Sequence, residues 1–261
     1  MRSLLLVVML AAFFGVGCQA PQAPQAPQEP AARFDVDHVF LFSEQDGPEA
    51  ELFEAAGFIV WPRTNQHSDQ GTTGRYIYLD NVYIELLWVH DEALAEANIP
   101  RANSDFNRRQ AWSGDPGVSP IGIGLRDHRY EELAPAAEYA YKADWMGPQP
   151  ENVLGVFTPS DRLNEPWVFR MPNHWTREPR TRFEGEWAER LNHPNGARRL
   201  TEAVFELPQD ELSEPLRIME GDGRFRFLTG SENHLVTLTF DEGAQGRVED
   251  FRPALPLVIR Y

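Results

Sequence analysis

Residues 34–89 constrain this chain more tightly than any other stretch, because their apolar pattern admits few foldings. The run DVDHVFLF alternates like a strand, with His38, Phe40 and Phe42 on one face and Val39 and Leu41 on the other. PEAELFEAAGF follows and reads as a helix. A polar loop, HSDQGTTGR, leads into two more alternating runs, RYIYLD and VYIELLWV. In the second of these Tyr83, Glu85 and Leu87 share a face opposite Val82, Ile84 and Leu86. Both faces are largely apolar, which predicts a central, buried strand. A carboxylate there is costly unless it is paired, hydrogen-bonded or coordinated. Glu85 is therefore the strongest functional marker in the chain. Asp80-Asn81, between the last two runs, predicts a two-residue hairpin turn.

The remainder is read more coarsely. Residues 91–120 are polar and loop-like, with a short helical start over 91–97. A strand is expected at 120–126, a helix over 130–143 despite Pro135, and a short strand around Val168. ARRLTEAVFEL predicts a strand, DELSEPLRIME a weak helix, and RFRFL, HLVTLTF and LPLVIRY three closing strands. That last stretch repeats the order strand, helix, strand, strand, strand. The expected fold is α+β over 33–261: a first βαβββ module at 34–89, a divergent second one at 190–261, and an intervening βαβ region at 90–190. Curved mixed sheets would form a cup.

The N-terminus is a different kind of segment. Arg2, an apolar run from Leu4 to Phe14 and small residues before Cys18 make residues 1–18 a secretory signal, too short to span a bilayer stably. A small residue just before the chain's single Cys resembles a bacterial lipoprotein signal, although Gly15 stands where such signals usually carry Leu. The resemblance implies lipidation of Cys18 and, with Gln19 following it in a Gram-negative envelope, attachment to the periplasmic leaflet of the outer membrane. The plain alternative is an ordinary secretory signal that leaves a free thiol. Residues 19–32 form a linker in which Ala20 to Pro30 carry an Ala-Pro-Gln repeat; it favours polyproline II, and this stretch would extend about 30 Å at roughly 3.1 Å per residue.

Composition excludes several functions. A net charge of −16 lacks the basic footprint that nucleic acid requires. A single Cys permits no disulfide and no Cys-based zinc site. There is no Gly-x-Ser-x-Gly, no His-Glu-x-x-His and no Walker loop. Gly122-Ile-Gly124 lacks the third glycine of a dinucleotide loop, and reads as a strand packed closely against a neighbour.

The first module, with its His-x-x-x-Gly-Thr loop (His67, Gly71 and Thr72) and its Tyr-Ile-Glu-Leu strand, resembles the glyoxalase-like branch of the vicinal oxygen chelate superfamily. The resemblance implies a site in the cup, with ligands from the first and last strands of each module. His38 and Glu85 match one pair and are the catalytic or metal-ligating candidates. In the second module the matching positions fall near Thr201 or Glu202, and near Leu257 or Val258. Glu202 is the one plausible further ligand, so a metal set of His38, Glu85 and Glu202 would take a divalent ion such as iron, zinc or manganese. His67, Thr72 and Arg75 would orient substrate, Arg75 suiting a carboxylate. His193 and Asn195, in a His-Pro-Asn-Gly turn, could also face the cup.

For each of these a structural role is the alternative: a buried hydrogen-bonded His38–Glu85 pair, an ordinary loop at 67–75, a plain turn at 193–196. His174 with Trp175 could line a pocket, while His90, His128 and His234 are expected to be structural. Two functions follow from the resemblance. One is a membrane-tethered enzyme, a lyase or dioxygenase, acting on a small oxygen-rich or carboxylated molecule. The other is a non-catalytic small-molecule-binding lipoprotein of the envelope. Oligomeric state is left open.

Overall fold

The alternating runs of the first module fold strand for strand. In the computed structural model, which describes residues 34–126, 139–172, 175, 185–221 and 223–261, β1 (Val36–Phe42) is followed by α1 (Ala50–Ala55), β2 (Asn65–His67), β3 (Thr72–Tyr78) and β4 (Tyr83–Val89). β4 runs parallel to β1 and antiparallel to β3, and every one of its residues is buried. Its two-sided apolar pattern has this interior position as its cause. α1 is shorter than PEAELFEAAGF suggests because Gly47 and Gly57, at φ 61° and 80°, bend the chain on either side of it. The β3–β4 turn closes through Leu79 N–H donating to Val82 O at 2.8 Å.

Residues 91–110, expected to be mainly loop, form α2 (Glu92–Ala102) and α3 (Phe106–Gln110). The Asp91 and Asp105 carboxylates cap them, accepting from Leu94 N and Arg108 N at 3.0 Å each. Ala95 and Ala102 of α2 and Phe106 of α3 are buried, so packing sustains helices whose polar sequence gives little sign of them.

The second module lies elsewhere than expected. β5 (Ile121–Leu125), β6 (Tyr139–Tyr141), β7 (Leu154–Val156) and β8 (Trp167–Arg170) join the same sheet, in the order β2-β3-β4-β1-β5-β8-β7-β6. β8 lies parallel beside β5 as β4 lies beside β1, and β1 meets β5 antiparallel. Residues 121–170 are thus the second copy, within the region expected only to intervene. Of the helix expected over 130–143, residues 127–138 lie outside the described residues, and Tyr139–Tyr141 is strand.

The stretch expected to be the second module has the right elements but different pairings. After α4 (Glu186–Glu189), β9 (Leu200–Leu207), α5 (Glu214–Glu220), β10 (Phe225–Thr229), β11 (Leu235–Phe240), β12 (Val248–Asp250) and β13 (Leu257–Arg260) build a separate five-stranded sheet, ordered β10-β9-β11-β13-β12. Here the first strand pairs parallel with the second and antiparallel with the third, rather than parallel with the last. Element order alone does not distinguish these two topologies.

The two sheets share one apolar core. Val39, Leu41, Ile84, Leu86 and Ile123 of the larger sheet pack with Phe205, Phe225, Val236 and Leu238 of the smaller. The larger sheet's other face carries His38, Phe40, Glu85, Leu87, Trp167 and Phe169 into a cavity. This α+β arrangement, with a curled mixed sheet forming a cup, is the expected fold class. The signal at 1–18 and the tether at 19–32 lie outside the described residues. Among the described residues, no helix is long and apolar enough to cross a membrane.

Candidate functional site

Strand alternation delivers His38 and Glu85 to the same face of adjacent strands. Phe40, two residues along from His38, pairs with Glu85 across the ladder, so the imidazole and the carboxylate meet diagonally. His38 Nε2 lies 3.7 Å from Glu85 Oε2, and both side chains are almost fully buried. They open into a cavity of about 380 Å³.

Three features hold the imidazole. A β-bulge between Val36 and His38, opposite β5, lets Asp37 turn toward its neighbour. The Asp37 carboxylate then accepts from His38 Nδ1 at 3.0 Å, and takes Arg126 Nε on its other oxygen at 2.8 Å. A carboxylate only accepts, so Nδ1 carries a proton, and in the neutral ring Nε2 is the nitrogen turned to Glu85. The ring stacks on Tyr83, with centroids 4.5 Å apart and 10° between planes, and meets the edge of Phe169 at 5.3 Å. Beneath it, a Cβ on Gly124 would stand 2.5 Å from His38 Cε1; beside it, a Cβ on Gly122 would overlap the Phe40 ring. The two glycines of β5 are the space in which the β1 side chains lie.

Glu85 has a similar recess. A Cβ on Gly74 of β3 would overlap its Oε1. Burial pushes the carboxyl up to about 8, and the Asp37 charge pushes it the same way; Tyr76 beside it acts in the opposite sense. Oε1 is buried and, among the described residues, has no hydrogen-bond partner of normal geometry. At neutral pH Glu85 is thus a carboxylic acid, with His38 Nε2 facing it.

His67 joins the cavity from the end of β2. Gln70 Nε2 donates to Thr72 Oγ1 at 2.9 Å, and that hydroxyl meets His67 Nδ1 at 3.0 Å. Burial, with His38 and His90 nearby, lowers the His67 pKa to about 4, so its ring is neutral. Thr72 therefore supports His67 from behind the cavity wall. Trp145, 4.7 Å from the His67 ring, and Trp175 close the far side.

The other expected site residues stand apart. Arg75 alternates with Tyr76 and so lies on the opposite face of β3, beside Ile77 of the core. His193 accepts from Ile59 N–H and donates to Tyr78 O, both at 2.9 Å; Asn195 donates to Ala56 O and accepts from Ala197 N–H, both at 3.0 Å. These two lock the α1–β2 connection to the chain before β9 and do not line the cavity. Glu202 is on the smaller sheet, partly exposed, 3.6 Å from Arg226. Leu257 and Val258 are buried in β13. His90 and His234 hold Thr73 and Pro116 O respectively, and His128 and His174 lie outside the described residues.

These positions decide the metal question. Where the second module would add ligands, it presents Gly122 and Gly124 on its first strand and Trp167 and Phe169 on its last. Among the described residues, no group of three His, Cys, Asp or Glu could hold an ion. The described residues do not supply a three-ligand set here, and the expected His38–Glu85–Glu202 set is not assembled.

The residues missed by sequence reasoning are Asp37, Arg126, Tyr76, Tyr83 and the Trp167–Phe169 wall. Tyr83, on the Glu85 face of its strand, and the Trp-Val-Phe alternation of β8 carry a sequence signal; Asp37 does not, since a regular strand turns it away from His38.

The sequence model of one family, described as the glyoxalase-like domain, matches residues 36–217. The chain belongs to the glyoxalase-like domain family. That span takes in both modules of the larger sheet and ends within α5. A hypothetical protein from Staphylococcus aureus shares the fold at a TM-score of 0.54 and 12% identity, over 87% of this chain and 98% of its own. A methylmalonyl-CoA epimerase from Mycobacterium tuberculosis aligns over 56% of this chain and 92% of its own, at 14% identity and a TM-score of 0.33. No curated protein matches the chain.

Proposed function

We propose that this glyoxalase-like domain is an acid–base enzyme that moves protons on a small molecule without a resident metal, and that Cys18 lipidation tethers it to the periplasmic side of the outer membrane. The observation that carries the reading is the buried pair: a carboxyl kept protonated to about pH 8, 3.7 Å from the Nε2 of an imidazole whose Nδ1 is held by Asp37. Groups whose surroundings set opposite protonation states are the ordinary signature of a general acid and a general base. In the proposed step, His38 Nε2 takes a proton from a C–H or O–H of the substrate, and Glu85 delivers one to a developing oxygen anion. The imidazolium and the carboxylate then exchange a proton directly, which resets the site. Asp37 stabilises the imidazolium and Arg126 offsets the Asp37 charge. Isomerisation or elimination is the reaction class that such a cycle serves.

The test is catalysed hydrogen–deuterium exchange, followed by proton NMR with the full chain in D2O and a panel of small ring ketones and enols. His38→Gln and Glu85→Gln should each slow exchange about 100-fold or more, the usual contribution of a positioned proton-transfer group. Exchange that both variants retain, or that a chelator abolishes, refutes the proposal. A non-catalytic binder is the second reading, favoured by the aromatic walls; it is identified by tight ligand binding with no exchange in the wild type. Membrane attachment is supported by the Cys18 context and the Pro-rich tether.

A further inference from the structure

We infer that the ligand of the first-sheet cavity is an uncharged molecule, with a flat ring held between aromatic walls and one oxygen or amide group reaching Glu85 and His38. This deepens the acid–base reading and rests on it for the identity of the site.

Shape is the first reason. Trp167 and Phe169, with centroids 4.6 Å apart, form one wall, and Phe40 continues it 6.1 Å from Trp167. Trp145 and Trp175, 6.3 Å apart, add a second pair of rings to the lining. A space of about 380 Å³ bounded by rings favours a planar apolar body that can stack, and it is near the lower end of small-molecule sites.

Charge is the second. Among the described residues that line the cavity there is no Lys or Arg to receive an anion. An anion would also enter a protein of net charge −16. A cation would find the Asp37 charge already matched by Arg126 at 2.8 Å, and it would have to ionise Glu85 against its burial. A neutral group meets neither cost. Polarity at one point is the third reason: among the ring-lined surroundings the Glu85 carboxyl and the His38 imidazole face the cavity side by side, where a ligand hydroxyl, carbonyl or amide can pair with them.

Glu85 is faced by His38 and Asp37 from β1, by Tyr76 from β3 and by Tyr83 of its own strand, with His67 at the β2 end of the cavity. Its ionisation is therefore the event that a bound neutral ligand reports as the solution becomes alkaline.

Three planar isosteres test this: benzamide (neutral), benzoate (anion) and benzamidine (cation), titrated against the full chain by quenching of tryptophan fluorescence and by ligand NMR. Benzamide should bind at least tenfold more tightly than either ion at pH 6.5. It should weaken about tenfold by pH 9, as a group titrating near 8 loses its proton. Glu85→Gln should bind benzamide with no such pH dependence, and Phe169→Leu should weaken all three. Preference for benzamidine or benzoate, or no binding of any of them at 10 millimolar, overturns the ligand class. Proton exchange that still depends on His38 and Glu85 alongside such a result would leave the acid–base reading standing. A benzamide preference with no exchange would do the reverse.

Discussion

Replacing Glu85 by Gln should stabilise the protein, and by more as the pH rises. The carboxyl titrates near 8 in the folded chain instead of its ordinary 4.5, chiefly because burial disfavours its charge. Between those values the folded protein keeps a proton that the unfolded chain has released. The stability tied to the protonated form is complete below the unfolded value and is lost as pH rises toward the folded one. At about 1.4 kcal/mol per unit, the loss is about 3 kcal/mol by pH 7 and about 5 kcal/mol by pH 9. The amide keeps the shape of the side chain and cannot ionise. Guanidinium denaturation at half-unit steps from pH 4 to 9 would measure this: wild type and Glu85→Gln should agree near pH 4 and diverge steadily to pH 8. A stability difference that does not vary with pH would refute a buried, protonated Glu85, and with it the acid in the proposed pair.

Other substitutions separate the site from its scaffold. Gly124→Ala drives a methyl to 2.5 Å from the His38 ring and should cost about 1–3 kcal/mol, as overpacking does, together with the His38-dependent exchange; thermal denaturation and imidazole nitrogen NMR would show both. His193→Ala removes two buried hydrogen bonds and should cost about 2–4 kcal/mol while leaving ligand affinity unchanged, as fluorescence titration would reveal. Arg75→Gln should likewise leave that affinity within about twofold, because its side chain leaves β3 on the core face. Cys18→Ser should move the protein from the detergent phase to the aqueous phase in a detergent-partition assay.

The first module was legible because both its strand signals have one physical origin. Residues alternate between a core and a cavity, and a carboxylate in a two-sided apolar strand must be met there by a proton, a partner or a ligand. The glycines of β5 were also readable as points of close approach, and the side chains that use them prove to be His38 and Phe40. Arg75 failed by one position: a period of two puts it with Ile77, not with Tyr76, and no residue-type argument survives that. The second module escaped because β6 and β7 have only three residues each and are strands through their pairing with neighbours. The cleaner alternation of β9 drew the same topology onto residues 190–261, where the pairing is different. Glu202 followed from that misplacement. Asp37 is legible only once the bulge is known, since a regular strand would send it to the opposite face from His38.

The two halves of the larger sheet have diverged in kind. β1 and β4 hold every group able to exchange a proton at the diagonal pair, whereas β5 and β8 offer glycine and aromatic surface. Reactivity and selectivity are thereby inherited separately. If the proposed acid–base reading holds, drift at Trp167 or Phe169 remoulds what is admitted and leaves the His38–Glu85 pair untouched, so one proton-exchanging half can serve many different molecules.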